Sequence, residues 1–160
     1  MSEIIRQATE DDAVFLQEAL LQTIRHLREQ APSPYSLALR DEVDDGMRGY
    51  IRACLHQSDG KVWLVEQAGE KLACLMARLG TTDMPQTGMG TVGLIELCWV
   101  REDARRRGLA ESLLCKAEQW FREQGMTQME LSYLAGNTLA EQAWQGLGFS
   151  PFRVYAYKPL

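Results

Sequence analysis

Leu94-Ile95-Glu96-Leu97-Cys98-Trp99-Val100-Arg101-Glu102-Asp103-Ala104-Arg105-Arg106-Arg107-Gly108-Leu109-Ala110 is the stretch of this 160-residue chain on which the reading of its fold turns. An apolar run from Thr91 to Val100, interrupted by the charge of Glu96, has the length and character of a buried strand. A short loop leads to three arginines and a glycine. Leu109, Leu113, Ala117 and Phe121 then recur at helical spacing, with Gly125 as a stop, which predicts a helix over 107–124. The first turn of a helix leaves backbone N–H groups unpaired, and the helix dipole places about half a positive charge there. Such a terminus accepts anions. Gly108 and Ala110 keep its surface small, and Arg105, Arg106 and Arg107 add positive charge. By themselves the arginines and the glycine read as a solvated surface turn. The Walker spacing with its Lys-Ser/Thr end is absent, and only one glycine of a dinucleotide fingerprint is present.

Outward from this stretch the chain alternates strands and helices. Ile4 and Ile5 open a short strand, and Thr9 has the character of a helix N-cap ahead of Glu10, Asp11 and Asp12. Ala13, Leu16, Leu20, Ile24 and Leu27 predict a helix to about Arg28, broken by Ala31-Pro32-Ser33-Pro34-Tyr35. A second helix is expected over 41–55. Strands over 62–66 and 72–79 are joined by the hairpin-like Gln67-Ala68-Gly69-Glu70. The loop from Gly80 to Gly90, with three glycines, a proline and three threonines, is expected to be exposed. A strand over 129–133, a helix from Asn137 to near Gly146 and an extended segment from Phe149 complete the order. This succession indicates one α/β (α+β) domain over 1–160, without repeats or linkers.

Bulk composition narrows the function. Hydrophobic residues make up 46% and charged residues 24%, the usage of an ordinary globular domain. A formal net charge of -5 disfavours nucleic-acid binding, which needs many phosphate contacts from Lys and Arg. It suits a cationic acceptor such as an amine. No stretch approaches the roughly 20 apolar residues of a membrane span. The N-terminus lacks the order of a signal peptide. Cys54, Cys74, Cys98 and Cys115 form no CxxC pair, and His26 and His56 have no metal-spaced partners. Four free thiols in a reducing cytoplasm, with no metal site, are expected.

Arg105-x-x-Gly108-x-Ala110, placed after a strand ending Cys98-Trp99-Val100 and opening a helix with Leu113-Leu114, resembles the acetyl-CoA signature of the GNAT superfamily of N-acetyltransferases. Asn137, followed by a helix and then Gly146-Leu147-Gly148-Phe149, resembles the second landmark of that family. The order of elements is similar over nearly the whole chain. The resemblance implies a mixed central sheet flanked by helices, with acetyl-CoA as cosubstrate. It implies that the backbone of Cys98, Trp99 and Val100 pairs with the pantetheine arm like an added strand. Arg105 to Ala110, with Leu109 among them, would hold the pyrophosphate, and Asn137 would meet the arm further along.

Amine acetylation sets its own requirements. An alkylamine with a pKa near 10.4 is mostly protonated at pH 7. A group must therefore accept a proton, and another must stabilise the oxyanion and the departing thiolate. Glu96 is the one carboxylate between Thr91 and Val100, and aminoglycoside-type GNAT members often carry a Glu at the similar spot. It is the candidate base, directly or through water. The bland alternatives are a glutamate facing solvent, or one that only orients a cationic substrate. Many GNAT enzymes carry a Tyr seven residues after the Asn as general acid. Here that position is Trp144, whose indole N–H is far too weak an acid. The thiolate then leaves unaided, or Tyr155 or Tyr157 serves. The missing tyrosine also leaves room for a non-catalytic acyl-CoA-binding or regulatory domain. The C-terminal segment has space for one long strand, and such an edge favours a homodimer. The acceptor itself, a small molecule or a peptide amine, has no signature in the sequence.

Overall fold

Near-continuous apolar runs in the middle of the chain build a five-stranded sheet in the computed structural model, which describes residues 2–160. Strands β1 (Ile4–Gln7), β2 (Gly60–Gln67), β3 (Glu70–Thr81), β4 (Thr91–Val100) and β5 (Met129–Leu131) lie side by side in chain order. The first four are antiparallel neighbours, whereas β4 and β5 run parallel. Parallel neighbours need a crossover, and helix α4 (Leu109–Glu123) supplies it. Helices α1 (Ala13–Gln30), α2 (Pro34–Ala38) and α3 (Asp45–His56) precede β2, and α5 (Thr138–Gly146) follows β5.

The sheet is buried on both faces. Ala73, Leu75 and Ala77 of β3 pack with Leu109, Leu113, Ala117 and Phe121 of α4. The intervening Cys74 and Met76 pack instead with Leu16 and Ala19 of α1 and with Ile51 and Cys54 of α3. The period of two thus gives each face its own core. Gly93 of β4 has a steric reason: a Cβ there would lie 2.5 Å from the Phe121 ring. Its absence lets α4 settle on the sheet.

Thr9 caps a 3-10 turn, Glu10–Asp12, and α1 starts at Ala13. The segment expected to be a break contains α2, because Ser33 caps it and Pro34 suits a first helical turn. The helix expected from 41 starts at Asp45, where the Asp44 side chain accepts the Met47 N–H at 2.8 Å. The hairpin turn has Ala68 and Gly69 both at positive φ, the two-residue geometry that matches strand twist. Gly80 and Thr81 belong to β3. Thr82 is buried rather than exposed, its hydroxyl donating to Glu130 of β5. The C-terminal expectation is corrected: residues 150–160 form no strand, because β5 stops after three residues and pairs only with β4.

Candidate active site

A bulge in β4 organises the site. Met76 of β3 pairs with Leu97 and Ala77 with Ile95, so Glu96 is the extra residue between them. A bulge bends its strand and re-aims a side chain. β5 pairs only with Gly93, Leu94 and Ile95. From Glu96 to Val100 the edge of β4 facing away from β3 therefore has no strand beside it among the described residues. Cys98, Trp99 and Val100, expected to present backbone to a pantetheine arm, lie on this open edge. Their side chains anchor the strand: Trp99 packs edge-on to Phe15 at 5.8 Å, while Cys98 and Val100 pack against the α4-side core. Burial pushes the Cys98 thiol up to about 12, so it is neutral near pH 7.

The strand end leads directly to a turn of free backbone N–H groups. Ala104, buried at the end of a 3-10 turn, anchors the loop. Arg106 (φ 62) and Gly108 (φ 79) are both left-handed, so the helix cannot begin before Leu109, two residues later than expected. The backbone N–H groups from Arg106 to Glu111 have no acceptor among the described residues, while the next one, of Ser112, bonds the Gly108 carbonyl at 2.9 Å. Successive free N–H groups in a turn that opens a helix form an anion-binding concavity. The arginines divide their work. Arg107 is held by Glu3 at 2.6 Å and Gln67 at 2.9 Å, and Arg105 bonds the Val100 carbonyl at 3.3 Å. Arg106 is exposed and has no side-chain partner among the described residues. The residues present thus fit a diphosphate. A broad depression beside Glu70, Arg101, Glu102 and Asp103 does not, because Arg101 is spent on Glu70 and Asp103.

Glu96 is exposed at the bulge but paired. Its Oε1 accepts from Arg78 Nε at 2.5 Å, and its Oε2 lies 3.5 Å from the Tyr50 hydroxyl. Glu96 holds the Arg78 proton more tightly than usual. Burial, with Cys54 and Glu96 close by, pushes the Tyr50 phenol up and keeps it protonated. Sequence reasoning weighed neither Arg78 nor Tyr50. The signal for Arg78 was a charge at an alternating position, two residues after the core-facing Met76. Tyr50 lies one residue before the buried Ile51 of α3.

Other expected residues lie elsewhere. Asn137 is buried and caps α5, its Oδ1 accepting the Ala140 N–H at 3.3 Å. Its Nδ2 has no partner among the described residues. The Tyr155 hydroxyl donates to the Asp83 carboxylate at 3.0 Å, which pushes the phenol up. Tyr157 packs edge-on to Tyr35 at 5.3 Å. Neither tyrosine contacts Glu96. Trp144 packs edge-on to Phe149 at 5.6 Å, as a packing residue would.

None of the curated protein sequences matches the chain. Among solved structures, aminoglycoside N-acetyltransferase AAC(6')-Iy in complex with a coenzyme A bisubstrate analogue is 18% identical, covering 100% of this chain and 99% of that one, with a TM-score of 0.74. Aminoglycoside 6'-N-acetyltransferase AAC(6')-IG from Acinetobacter haemolyticus is 18% identical over 98% and 97%, with a TM-score of 0.75. A GCN5-related N-acetyltransferase from Ralstonia eutropha is 21% identical over 99% of both chains, also at 0.75. At these identities the likeness is one of fold. The family model for the acetyltransferase (GNAT) family matches residues 20–149, from within α1 through the bulged strand and the cradle to Phe149. The sheet that splits beside a bulge, with free N–H groups one loop away, is therefore that of a chain that belongs to the GNAT acetyltransferase family.

Proposed function

We propose that this chain is an acetyl-CoA-dependent N-acetyltransferase that passes an acetyl group to a primary amine by direct attack on the thioester. The supporting observation is the continuity of residues 96–111. A carboxylate at the bulge, an open strand edge and an N–H cradle follow one another along a single strand–loop–helix unit. Acetyl-CoA supplies the thioester and a diphosphate handle. The N–H groups of Arg106 to Glu111 bind the diphosphate, with Arg105, Arg106 and Arg107 as surrounding charge. The backbone of Cys98, Trp99 and Val100 pairs with the amide groups of the arm, as in strand addition. Asn137 Nδ2 donates further along.

Glu96 accepts the proton that the acceptor ammonium must lose, directly or through water. The amine lone pair then forms the C–N bond, the C–S bond breaks, and sulfur leaves with the electron pair. Trp144 cannot protonate that thiolate. Tyr155, held on Asp83, and Tyr157, against Tyr35, are the substitute acids on this reading. The catalytic unit is one domain over 1–160 in the cytoplasm. Phe152, Val154, Tyr155 and Tyr157 in a segment without sheet partners support a homodimer formed through it.

The test is coenzyme A release with a panel of amines. Glu96→Gln is expected to lower kcat by about a hundredfold, within the range for a lost general base, and to flatten the acidic limb of the pH–rate profile. Acetyl-CoA affinity should hold. Absence of release with every amine in the panel would favour an acyl-CoA-binding or regulatory domain instead.

A further inference from the structure

Arg78 does more than its contact with Glu96 requires. Only its Nε is used by Glu96; its two terminal nitrogens have no partner among the described residues, and the side chain is 38% exposed. The guanidinium lies over Gly80, where a Cβ would come within 2.7 Å of Nη1. A glycine two residues on thus leaves the space in which the fork rests. A positive fork with free donors consequently stands against the carboxylate that is to receive the acceptor's proton. The other groups around the pair are Asp59, the neutral Tyr50 hydroxyl and the neutral Cys54 thiol, whose proton burial retains.

This arrangement bears on the acceptor. A lone carboxylate would suit any ammonium group. An ammonium-only ligand meets here a carboxylate already neutralised by Arg78, and a polycation meets the guanidinium as a like charge. Two opposite charges side by side complement a ligand that also carries two opposite charges. We propose that the acceptor is an amino acid-like zwitterion, its amine held by Glu96 and its carboxylate by the terminal nitrogens of Arg78. Those nitrogens are one atom removed from Nε, so the anion must stand only two or three bonds from the amine, as in an α- or β-amino acid. A planar guanidinium donates to a carboxylate through two parallel N–H groups, which a single ammonium cannot do. Arg78 is a specificity-determining residue on this inference, which rests on the N-acetyltransferase reading above.

The experiment compares four acceptors by coenzyme A release: an α-amino acid, its carboxamide, the matching amine without the carboxyl group, and a polycationic aminosugar. For the native protein, kcat/KM for the amino acid should exceed that for its carboxamide by roughly a hundredfold, less than a fully enclosed polar site achieves because Arg78 is partly hydrated. In Arg78→Gln that ratio should fall to near one. In Arg78→Lys, which keeps the charge but loses the fork, it should be intermediate. Using the ratio cancels any common change in Glu96 or in the folded fraction. A native preference for the carboxamide, the simple amine or the aminosugar overturns the inference and leaves the acetyltransferase reading intact. If no acceptor releases coenzyme A, that reading fails. Calorimetry on the coenzyme A-loaded protein then decides the inference: amino acid binding lost in Arg78→Gln upholds it, and no binding to the native protein overturns it.

Discussion

Asp12 is 1% exposed and still ionised, which its partners explain. Arg6 grips both of its oxygens, at 2.8 and 2.9 Å, Lys71 lies 2.7 Å from Oδ1, and the Thr9 N–H donates at 2.8 Å. The Arg6 hydrogen bonds are the largest influence and outweigh burial, so the carboxyl is held far below the usual range. A carboxylate depressed in this way stabilises the fold fully above its unfolded pKa near 3.9. That contribution is lost as pH falls from there towards the folded value. Asp12→Asn should therefore cost about 2–3 kcal/mol at pH 7, below the upper range for buried pairs because Arg6 is partly exposed. The gap from the native protein should narrow below about pH 4. Urea unfolding at neutral and acid pH measures this, and a gap constant with pH would mean that packing alone accounts for Asp12. Arg78 and Glu96 form a comparable pair in a different setting: the terminal nitrogens of Arg78 have no partner among the described residues.

At the scale of elements, the junction of β4 and α4 concentrates the unusual backbone. Arg106 and Gly108 hold left-handed angles that keep the N–H groups of 106–111 out of the helix ladder. Gly108 has open space beside it, so a side chain there is limited by backbone conformation and charge rather than by collision. Gly108→Glu puts a negative charge where the diphosphate is to lie, and like charges in contact cost several kcal/mol. Affinity for acetyl-CoA should fall by roughly a hundredfold or more. Gly108→Asn, which tolerates a left-handed angle and adds no charge, should bind more tightly than the glutamate variant. Titration calorimetry on folded samples reports both. Equal affinity in Gly108→Glu and the native protein would remove the cradle from the cofactor site.

For the whole molecule, the C-terminal segment is the unfinished part. Val154 is 85% exposed and Tyr155 71%, and the segment is held by side-chain contacts to Asp83 and Tyr35 rather than by a ladder. Apolar residues left in the open favour association, and two-fold pairing of like segments is the commonest way to cover them. The native chain should sediment as a dimer and a chain lacking residues 151–160 as a monomer. A monomeric native chain at micromolar concentration would reject the shared segment. Among the described residues no helix is long and apolar enough to cross a membrane, and the two helical layers on the sheet account for the apolar content.

The sequence by itself determined the elements that depend on local pattern. Apolar runs bounded by turn residues located β2, β3 and β4, apolar residues at period 3.6 located α1 and α4, and Asn137 stood ahead of α5, which its side chain caps. Gly108 announced a helix start, and free N–H groups follow from any helix start with a left-handed glycine before it. Tertiary structure decided what depends on neighbours distant in the chain. The bulge at Glu96 exists only in register with Met76 and Ala77, and the open edge of β4 exists only because β5 stops at Leu131. The partners of Glu96 stand 18 and 46 residues away, on β3 and α3. A local pattern can announce a charged residue. It cannot say which charge will face it, because that is settled when the sheet and the helices close together.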